Sequence, residues 1–494
     1  MSERTTRCET RSEKSAEVVV AASHRGEGPN GEESETLVSF GNAMPQKTRR
    51  LVPPLDARGE TLGVERSVEA LLATHDNERS GMSDLMEWVC ERRNLQAALK
   101  RVRKNKGSAG IDGMTVDELG PHLKTHWPML REQLLTGRYQ PSLVRRHAIP
   151  KSDGGVRELG IPTVLDRFIQ QAILQVLSPC FDMGFSEYSY GFRPGRRAHD
   201  AVVQAQRYVQ QGRRIVVDVD LEKFFDRVSH DVLMGRLAVR IKDKRLLGLI
   251  RRYLQAGMMA DGVVMRREEG TPQGGPLSPL LANFLLDEVD KELEKRGHSF
   301  VRYADDLNIY VRSKRAGERV MEALRGLYAK LKLRINESKS AVARATERKF
   351  LGFSFWVAPG REVKRRVAPQ ALSRFKDRVR AITRRVVGQS LAHVCEQLRV
   401  YMVGWRGYFR LADTPRVFAD IDGWIRHRLR ALQLKQWKRG TTIYRELRAR
   451  GMSALAARQV AANGRRWWRN SSMKIHVALP NKLFEGMGLP RLAQ

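Results

Sequence analysis

The sequence predicts a chain of the α+β class, in which a mixed domain of helices and short strands precedes an all-helical domain. Two β-branched and aromatic runs at residues 300–303 and 307–311 enclose adjacent acids, a pattern that predicts strand, tight turn and strand. Segments of helical periodicity alternate with this hairpin and a few other short strands, which is typical of a mixed domain. After Arg361 the apolar residues recur only at spacings of three and four, which predicts helices alone.

These patterns divide the chain into four segments. Residues 1–80 are polar and weakly periodic, so we expect them to be poorly ordered. Residues 81–360 are predicted to form the mixed domain, with order beginning near Ser83, a strand hairpin within 140–160 and long helices over 230–254 and 280–293. Residues 361–435 carry three amphipathic helices that are expected to form a small bundle. Residues 436–494 form a basic C-terminal extension.

Charge narrows the class of partner. The chain has 89 Lys and Arg against 55 Asp and Glu, a formal net charge of +34. The excess is concentrated in residues 363–494, which hold about 29 basic and about 7 acidic side chains. A protein this basic usually binds a polyanion, and we expect a nucleic acid. A generally solvated basic surface would also explain the charge.

Cysteine usage and hydropathy exclude several classes of protein. The four cysteines lie far apart and form no C-x-x-C pair, so neither a zinc ribbon nor a disulfide framework is expected, and reduced thiols in a cytosol fit best. No apolar run reaches membrane-spanning length, and the N-terminus lacks a signal-peptide core. We therefore expect neither export nor contact with a membrane.

Two acidic segments carry the chemistry. Asp220 ends an apolar strand over 215–219, and Asp305 and Asp306 lie at the turn of the later hairpin. If these strands are neighbours, Asp220 and Asp305 converge at strand ends, and such a cluster is costly unless cations neutralise it. Two Mg²⁺ ions held by carboxylates are what in-line phosphoryl transfer to a nucleic acid 3′ end requires. The sequence therefore predicts a template-directed polymerase.

Some roles stay open on sequence grounds. Asp218 and Asp220 share one face of the strand, so either could reach a metal ion. Phe225, five residues after Asp220, could exclude a 2′-hydroxyl and so select deoxynucleotides, or it could simply pack in the core. The glycine-rich loop over 104–113 could approach a phosphate chain or be a flexible connector. Lys151 and Arg157, one on each arm of the 140–160 hairpin, could clamp a triphosphate or belong to an ordinary charged hairpin.

Several motifs together resemble the bacterial group II intron-encoded reverse transcriptases, also called maturases. The resemblance runs from about Asn94 to the C-terminus and includes the runs FSEYSYGFRPGR, TPQGGPLSP, YADD and VGWRGYF. Further segments that match the family pattern are 94–119, 149–163, 217–226, 333–339 and 349–353. The resemblance implies a right-hand polymerase, with fingers and palm built on a small antiparallel sheet, followed by a helical thumb called domain X.

The resemblance also implies roles for individual residues. Asp220, Asp305 and Asp306 would be the catalytic acids, and Asp220, Leu221 and Asp305 would bind the two Mg²⁺ ions. The incoming dNTP would meet Lys151, Arg157, Leu221, Phe225 and Gln273. Nucleic acid would be bound by a larger set of cations, namely Lys104, Lys106, Arg193, Arg196, Lys339, Lys349, Arg374, Arg378, Arg385, Arg406, Arg465 and Arg466.

The implied function is an RNA-directed DNA polymerase that also assists splicing of its own intron and copies that intron at a DNA target. Its implied partners are group II intron RNA, primer and target DNA, and dNTPs, in a bacterial cytoplasm and at the nucleoid, as a monomer or a dimer. The alternatives are a splicing-only RNA chaperone and a reverse transcriptase domesticated for defence or repair. No cysteine follows Cys395, so the H-N-H endonuclease that some members carry is not expected.

Overall fold

The structure is a computed structural model that describes residues 83–150, 156–260, 263–265, 269–271, 274–385, 388–464 and 466–493. Contacts divide these residues into two compact units, one ending at Ala343 and one beginning at Arg344. The boundary expected at 360/361 therefore falls inside the second unit, and the expectation for residues 1–80 lies outside the described residues. No described helix is both long and apolar enough to cross a bilayer.

The first unit contains two four-stranded sheets surrounded by helices. One sheet has the order β2-β1-β4-β5 and the other β6-β7-β3-β8. Their strands are β1 Val144–Pro150, β2 Val156–Ile161, β3 Ile215–Val219, β4 Met258–Ala260, β5 Val263–Met265, β6 Ser299–Tyr303, β7 Asp306–Val311 and β8 Ala341–Arg344. The helices are α1 Leu85–Val89, α2 Arg92–Asn105, α3 Leu119–Leu135, α4 Val164–Asp182, α5 Ala198–Gln210, α6 Phe224–Arg227, α7 His230–Arg240, α8 Lys244–Gln255, α9 Ser278–Lys295 and α10 Lys314–Lys330.

The sheet that carries the acidic segments is buried on both faces. Ile215 and Val217 of β3 pack beneath α10, where they approach Gly317. On the opposite face the ring of Tyr310 lies 5.8 Å from that of Tyr208 in α5. Burial of both faces explains why β3 and β7 are continuous apolar runs, interrupted by polar side chains where the sheet ends or where one is paired.

The helix predicted over 230–254 is wrong as a single element. The chain forms α7 and α8 instead, because Ile241 takes an extended conformation and Asp243 starts a new helix. The Asp243 carboxylate accepts hydrogen bonds from the backbone amides of Arg245 and Leu246, which is how an aspartate at an N-cap satisfies the first turn.

The second unit combines a small sheet with helices. Its strands, in the order β11-β10-β9, are β9 Lys349–Phe350, β10 Phe353–Val357 and β11 Val363–Val367. Its helices are α11 Pro369–Ile382, α12 Leu391–Phe409, α13 Pro415–Gln436, α14 Gly440–Ala449, α15 Ala454–Ala462, α16 Trp467–Asn470 and α17 Asn481–Gly486. The expectation of helices alone after Arg361 is therefore wrong, since β11 pairs with β10 along five residues.

The predicted bundle of three amphipathic helices is confirmed as α11, α12 and α13. Its core contains a run of rings in which Trp405, 2 % exposed, lies 4.4 Å from Phe375 and 4.7 Å from Phe409. Phe409 in turn lies 5.1 Å from Phe353 of β10, and the Tyr408 hydroxyl donates to the Leu351 carbonyl at 2.8 Å. The apolar stripes on these helices are thus core, as their spacing indicates.

Candidate active site

The two acidic segments meet at one end of the β6-β7-β3-β8 sheet. β3 and β7 are antiparallel neighbours whose register pairs Val219 with Leu307, so Asp220 comes at the next position, beside Asp306. β6 and β7 form a hairpin in which Tyr303 pairs with Asp306, which leaves Ala304 and Asp305 as the two turn residues. The expected strand neighbourhood is therefore confirmed.

A short segment after α10 fixes the backbone on both sides of Asp220. The Asn336 amide donates to the Asp220 carbonyl at 2.8 Å, and the Asp220 amide donates to Ser340 Oγ at 3.0 Å. The side chain of Asp220 is 95 % buried, and Lys339 Nζ lies 4.0 Å from its Oδ2. Lys339, predicted to bind nucleic acid, is thus also close enough to neutralise part of the Asp220 charge.

Leu221 takes part in an isolated antiparallel bridge with Ile335. The two hydrogen bonds of this bridge use the carbonyl of Asp220 and the amide of Glu222. In such a pair the central residue directs its own carbonyl away from the partner strand. The carbonyl of Leu221, which is the only oxygen that a leucine offers to a metal ion, is therefore directed away from Ile335.

Asp218 has a different neighbour from Asp220. It opposes Asn308 in the β3–β7 register, and with its amide nitrogen turned toward β3, Asn308 donates to Asp218 Oδ1 at 3.0 Å. Asp218 is also one of the charges that raise the pKa of the buried Tyr310, after burial itself. A pairing within the sheet favours Asp220 over Asp218 as the acid that faces a metal ion.

Asp305 and Asp306 act on different tyrosines. Burial raises the pKa of Tyr303, and the negative charge of Asp306 raises it further. Burial likewise raises the pKa of Tyr328, with smaller contributions that include Asp305. The two adjacent acids therefore have different neighbours, and which of them binds a metal ion stays a prediction.

The loop between Thr271 and Gly274 is anchored at both ends. The Thr271 amide donates to the Phe225 carbonyl at 2.6 Å. Gly274 has φ +145° and lies so close to the Gly160 carbonyl of β2 that a Cβ would overlap it, so only glycine fits there. Gln273 lies outside the described residues, but Thr271 before it contacts Phe225 and Gly274 after it contacts β2.

Phe225 is half-buried. Its ring lies 5.1 Å from that of Phe224 in an edge-to-face arrangement, and it packs against the core of the first unit. The geometry is compatible with both sequence interpretations, since the ring combines a packing contact with partial exposure.

The predicted hairpin over 140–160 is present as the antiparallel pair β1–β2, which extends to Pro150 opposite Val156. Lys151 and the turn lie outside the described residues, and so does the side chain of Arg157. Arg146 and Glu158 form an ion pair across the two strands. The triphosphate clamp stays a prediction.

Comparison with known proteins adds two matching family models. Residues 149–355 match the model described as reverse transcriptase (RNA-dependent DNA polymerase), and residues 372–451 match the group II intron, maturase-specific domain. Protein YkfC of Escherichia coli is 34% identical over 308 residues, which cover 54% of this chain and 79% of YkfC.

The chain belongs to the group II intron-encoded reverse transcriptases and maturases.

This membership confirms the predicted family, fold class and function class. The group II intron-encoded protein LtrA of Lactococcus lactis is 36% identical over 195 residues, 39% of this chain but only 32% of LtrA. Among solved structures, a partial Cas6-RT-Cas1–Cas2 complex is similar at 27% identity and a TM-score of 0.33, over 50% of this chain and 42% of that one.

Reverse transcriptases generally depend on Mg²⁺, and the donors at this end of the sheet fit that ion. They are oxygen atoms, namely carboxylates and the Leu221 carbonyl. In the part of the chain that the structure describes, no three Asp, Glu, His or Cys side chains form a metal site on their own. Mg²⁺ usually keeps several waters and takes only one or two carboxylates plus substrate phosphates. The donor types at this end of the sheet are therefore those that Mg²⁺ prefers.

The predicted nucleic-acid ligands in the first unit differ in exposure. Lys104 and Lys106, at the end of α2, are exposed. Arg196 is half-buried, donates to the Glu187 carbonyl and lies 5.6 Å from the ring centre of Tyr190.

Arg193 is buried and is used inside the protein. It pairs with Asp182 at 2.7 Å and donates to the Ser186, Ser189 and Asp182 carbonyls. These contacts favour a role in shaping the 185–196 loop over the predicted contact with nucleic acid.

The predicted ligands of the second unit, hereafter called the maturase unit, lie on β9, α11 and α12 and in segments that adjoin helices. Arg378 and Arg466 are exposed, and a further set is half-buried, namely Lys349, Arg374, Arg385 and Arg406. Arg465 lies outside the described residues. In the tail, Trp467 has Lys435 Nζ 5.2 Å from its ring centre, whereas Trp468 is 43% exposed. The Trp468 ring also lies 3.9 Å from the ring of His427, edge-to-face. Both tryptophans therefore make contacts within the unit, and Trp468 keeps an exposed part.

Sequence reasoning missed an arginine cluster around Trp424 of α13. Arg380 and Arg428 lie 5.7 and 5.3 Å from the Trp424 ring centre. Burial lowers the pKa of Arg428, and the nearby charges of Arg385 and Arg380 lower it further. The spacing of four between Trp424 and Arg428 on one helix was the available signal.

Proposed function

We propose that this protein is an RNA-directed DNA polymerase that works by a two-metal mechanism, extends a DNA primer on intron RNA and also binds that RNA as a maturase. The observation that carries the proposal is the β3–β7 register together with the β6–β7 turn, which brings Asp220 and Asp305 to the same end of one sheet. The match to both family models supports the pairing of the two activities in one chain.

In this proposal Asp220, Asp305 and the Leu221 carbonyl hold two Mg²⁺ ions, with Asp306 as the third catalytic acid. Bound Mg²⁺ supplies activation of the primer 3′-hydroxyl and neutralisation of the charge on the transferred phosphoryl group. The protein's own contribution is position. Because Asn336 and Ser340 hold the backbone of Asp220, its carboxylate is placed before substrate arrives and needs little reorganisation.

The nucleotide would lie between the two anchored ends of the 271–274 loop. Gln273 would line this pocket, Phe225 would contact the sugar, and Lys151 and Arg157 would hold the triphosphate. The link from Phe225 through Thr271 and Gly274 to β2 supports this arrangement, since it connects the sugar contact to the hairpin that carries the two cations.

The maturase unit would bind group II intron RNA through its basic helices and the tail. Arg374, Arg378, Arg385, Arg406 and Arg466 would contact phosphates, and the Trp424 cluster adds two further arginines to that surface. The bound ribonucleoprotein would then copy the intron at a DNA target at the nucleoid.

The test is primer extension on an RNA template with dNTPs and Mg²⁺. We expect Asp305→Asn to lower the rate by about 10²-fold or more, since it removes charge from the reacting centre. Glu318→Gln makes the same change on an exposed part of α10 and should be neutral. Splicing at low Mg²⁺ should survive Asp305→Asn, because RNA binding is assigned elsewhere. Undiminished polymerisation by Asp305→Asn would refute the catalytic assignment.

A further inference from the structure

We propose that a buried network beneath the Ala304–Asp305 turn is a positioning device that sets where the Asp305 carboxylate lies. Its members are Arg302 of β6, Asp290 and Asn283 of α9, and Gly191 of the 185–196 loop. The inference rests on the proposed function of Asp305, and it assigns these four residues to placement of that acid.

The centre of the network is an ion pair without access to water. Arg302 and Asp290 are 1% and 0% exposed. Arg302 Nε donates to both carboxylate oxygens of Asp290, at 2.8 and 2.9 Å, and Nη2 donates to Oδ2 at 2.5 Å. Opposite Arg302 in the sheet stands the buried Leu307. A charged pair is therefore buried beside an apolar cross-strand neighbour.

Stability alone does not explain such a pair. Replacing a buried ion pair by apolar residues of similar volume is often neutral or stabilising, because two charges must be taken out of water to form it. What an apolar residue cannot do is donate hydrogen bonds in fixed directions. The donors of Arg302 that remain after Asp290 is satisfied therefore indicate what the pair is for.

Those donors reach the turn. Arg302 Nη1 donates to the Ala304 carbonyl at 2.9 Å and to Asn283 Oδ1 at 2.8 Å. Ala304 has φ +58°, a left-handed conformation that is disfavoured for a residue with a Cβ. The peptide that joins Ala304 to Asp305 is thus held by a charge-assisted hydrogen bond in a conformation the chain would otherwise leave.

Gly191 holds the same turn from its amide side. A Cβ on Gly191 would overlap the Ala304 nitrogen, so the two backbones are in direct contact. Asn283 Nδ2 donates to the Gly191 carbonyl at 2.7 Å and thereby joins the loop to Arg302. Tyr188 and Tyr190 pair with both sides of the Arg302 backbone, at 2.9 and 2.8 Å. The turn is therefore clamped between a guanidinium and a glycine.

The functional consequence is a sensitivity to small displacements. Misplacement of a catalytic group by about 1 Å costs on the order of 10²-fold in rate. If the contacts of Arg302 and Gly191 with the turn are removed, the turn relaxes and Asp305 spends less time where it can bind an ion. Loss of the network should therefore weaken ion binding and lower kcat while leaving the nucleic-acid surfaces intact.

The main test is the double variant Arg302→Met/Asp290→Leu in the full-length protein, which removes both charges and keeps apolar volume. We expect a melting temperature close to wild type and unchanged affinity for template–primer. Mn²⁺ binding to the protein–template–primer complex, followed by loss of the free-ion EPR signal, should weaken about 10-fold. The kcat for primer extension should fall by about 10²-fold, with a smaller change in the KM for dNTP.

A second variant reaches the turn without touching the ion pair. Gly191→Ala adds one methyl group against Ala304 and should produce the same loss of kcat and of Mn²⁺ affinity. Its matched control is Gly235→Ala, since Gly235 lies exposed on α7 with nothing within 4 Å of an added Cβ. This control should behave as wild type in both measurements.

The outcomes separate the positioning role from the proposed function. Wild-type kcat and Mn²⁺ affinity in a folded double variant would overturn the positioning role, provided that Asp305→Asn is inactive. Full activity of Asp305→Asn would instead remove the proposed function on which the inference rests. If the double variant does not fold, Gly191→Ala decides, and equal behaviour of Gly191→Ala and Gly235→Ala counts against the clamp.

Discussion

Replacing Phe225 by valine distinguishes a sugar contact from core packing. The half-buried ring loses its edge-to-face contact with Phe224, which lies 5.1 Å away. Such a contact contributes about 0.5–1.5 kcal/mol, and partial loss of burial adds about 1 kcal/mol. We therefore expect Phe225→Val to lower the free energy of unfolding by about 2 kcal/mol, a loss that a protein of this size tolerates.

Its effect on nucleotide choice should be larger than its effect on stability. A ring that meets the sugar excludes the 2′-hydroxyl by contact, and one group of that size in a pocket is worth about 10- to 200-fold in discrimination. Phe225→Val should therefore decrease the ratio of kcat/KM for dNTP to kcat/KM for the matching ribonucleotide by about 10- to 200-fold. Single-nucleotide primer extension measures this ratio. The kcat/KM for dNTP itself should change little.

Phe224→Val is the matched control. Phe224 is 1% exposed, so its truncation should destabilise the protein by about 2–3 kcal/mol, more than the change at Phe225. It should leave the dNTP-to-ribonucleotide ratio unchanged, because a buried ring does not meet the sugar. If both variants keep the wild-type ratio, Phe225 is a packing residue and its proposed contact with the sugar is refuted.

Two further predictions concern the maturase unit. Arg428→Gln should reduce the slope of log K against log salt for RNA binding by about 1, as expected for one lost phosphate contact, and an unchanged slope would exclude Arg428 from the interface. Asp413→Asn should destabilise the unit by about 1–2 kcal/mol at neutral pH, because Asp413 accepts three hydrogen bonds from the partly exposed Arg365. Burial alone would raise the pKa of Asp413, but the hydrogen bonds from Arg365 lower it overall. The stability that the Asp413–Arg365 contacts contribute is therefore complete above about pH 4 and is lost as the pH falls through the native pKa of Asp413. Urea unfolding should therefore separate the variant from wild type at pH 7, and the difference should shrink as the pH falls below about 4.

The features predicted correctly from sequence depend on local patterns. The acidic hairpin was recognisable because two β-branched and aromatic runs and the acids between them are encoded within twelve residues. The neighbourhood of Asp220 and Asp305 followed because acids at the ends of buried strands have few other places to lie. The helices α11 to α13 followed from apolar spacing, which needs no knowledge of the partner surface.

The errors arose where pairing at a distance overrides a local pattern. β11 reads as a polar connector, since Lys364, Arg365 and Arg366 separate its two valines, and only β10 makes it a strand. The break after α7 had a local signal in Asp243, an N-cap residue inside an otherwise continuous helical pattern. The burial of Arg193 could not be predicted, because its partners are mostly backbone carbonyls of a loop whose shape the sequence does not reveal.

Preorganisation connects the structural features around the acids. Asp220, Asp305 and Asp306 repel one another when no cation is bound, so a flexible site would separate them and each turnover would have to bring them back. Here the backbone is fixed instead, through Asn336 and Ser340 at Asp220 and through Arg302 at the turn. If these acids hold Mg²⁺ as proposed, the folded backbone offsets the cost of holding like charges together, and binding energy from the ions and the nucleotide would stay available for the transition state. The same reasoning predicts that changes to these backbone contacts reduce kcat more than substrate affinity.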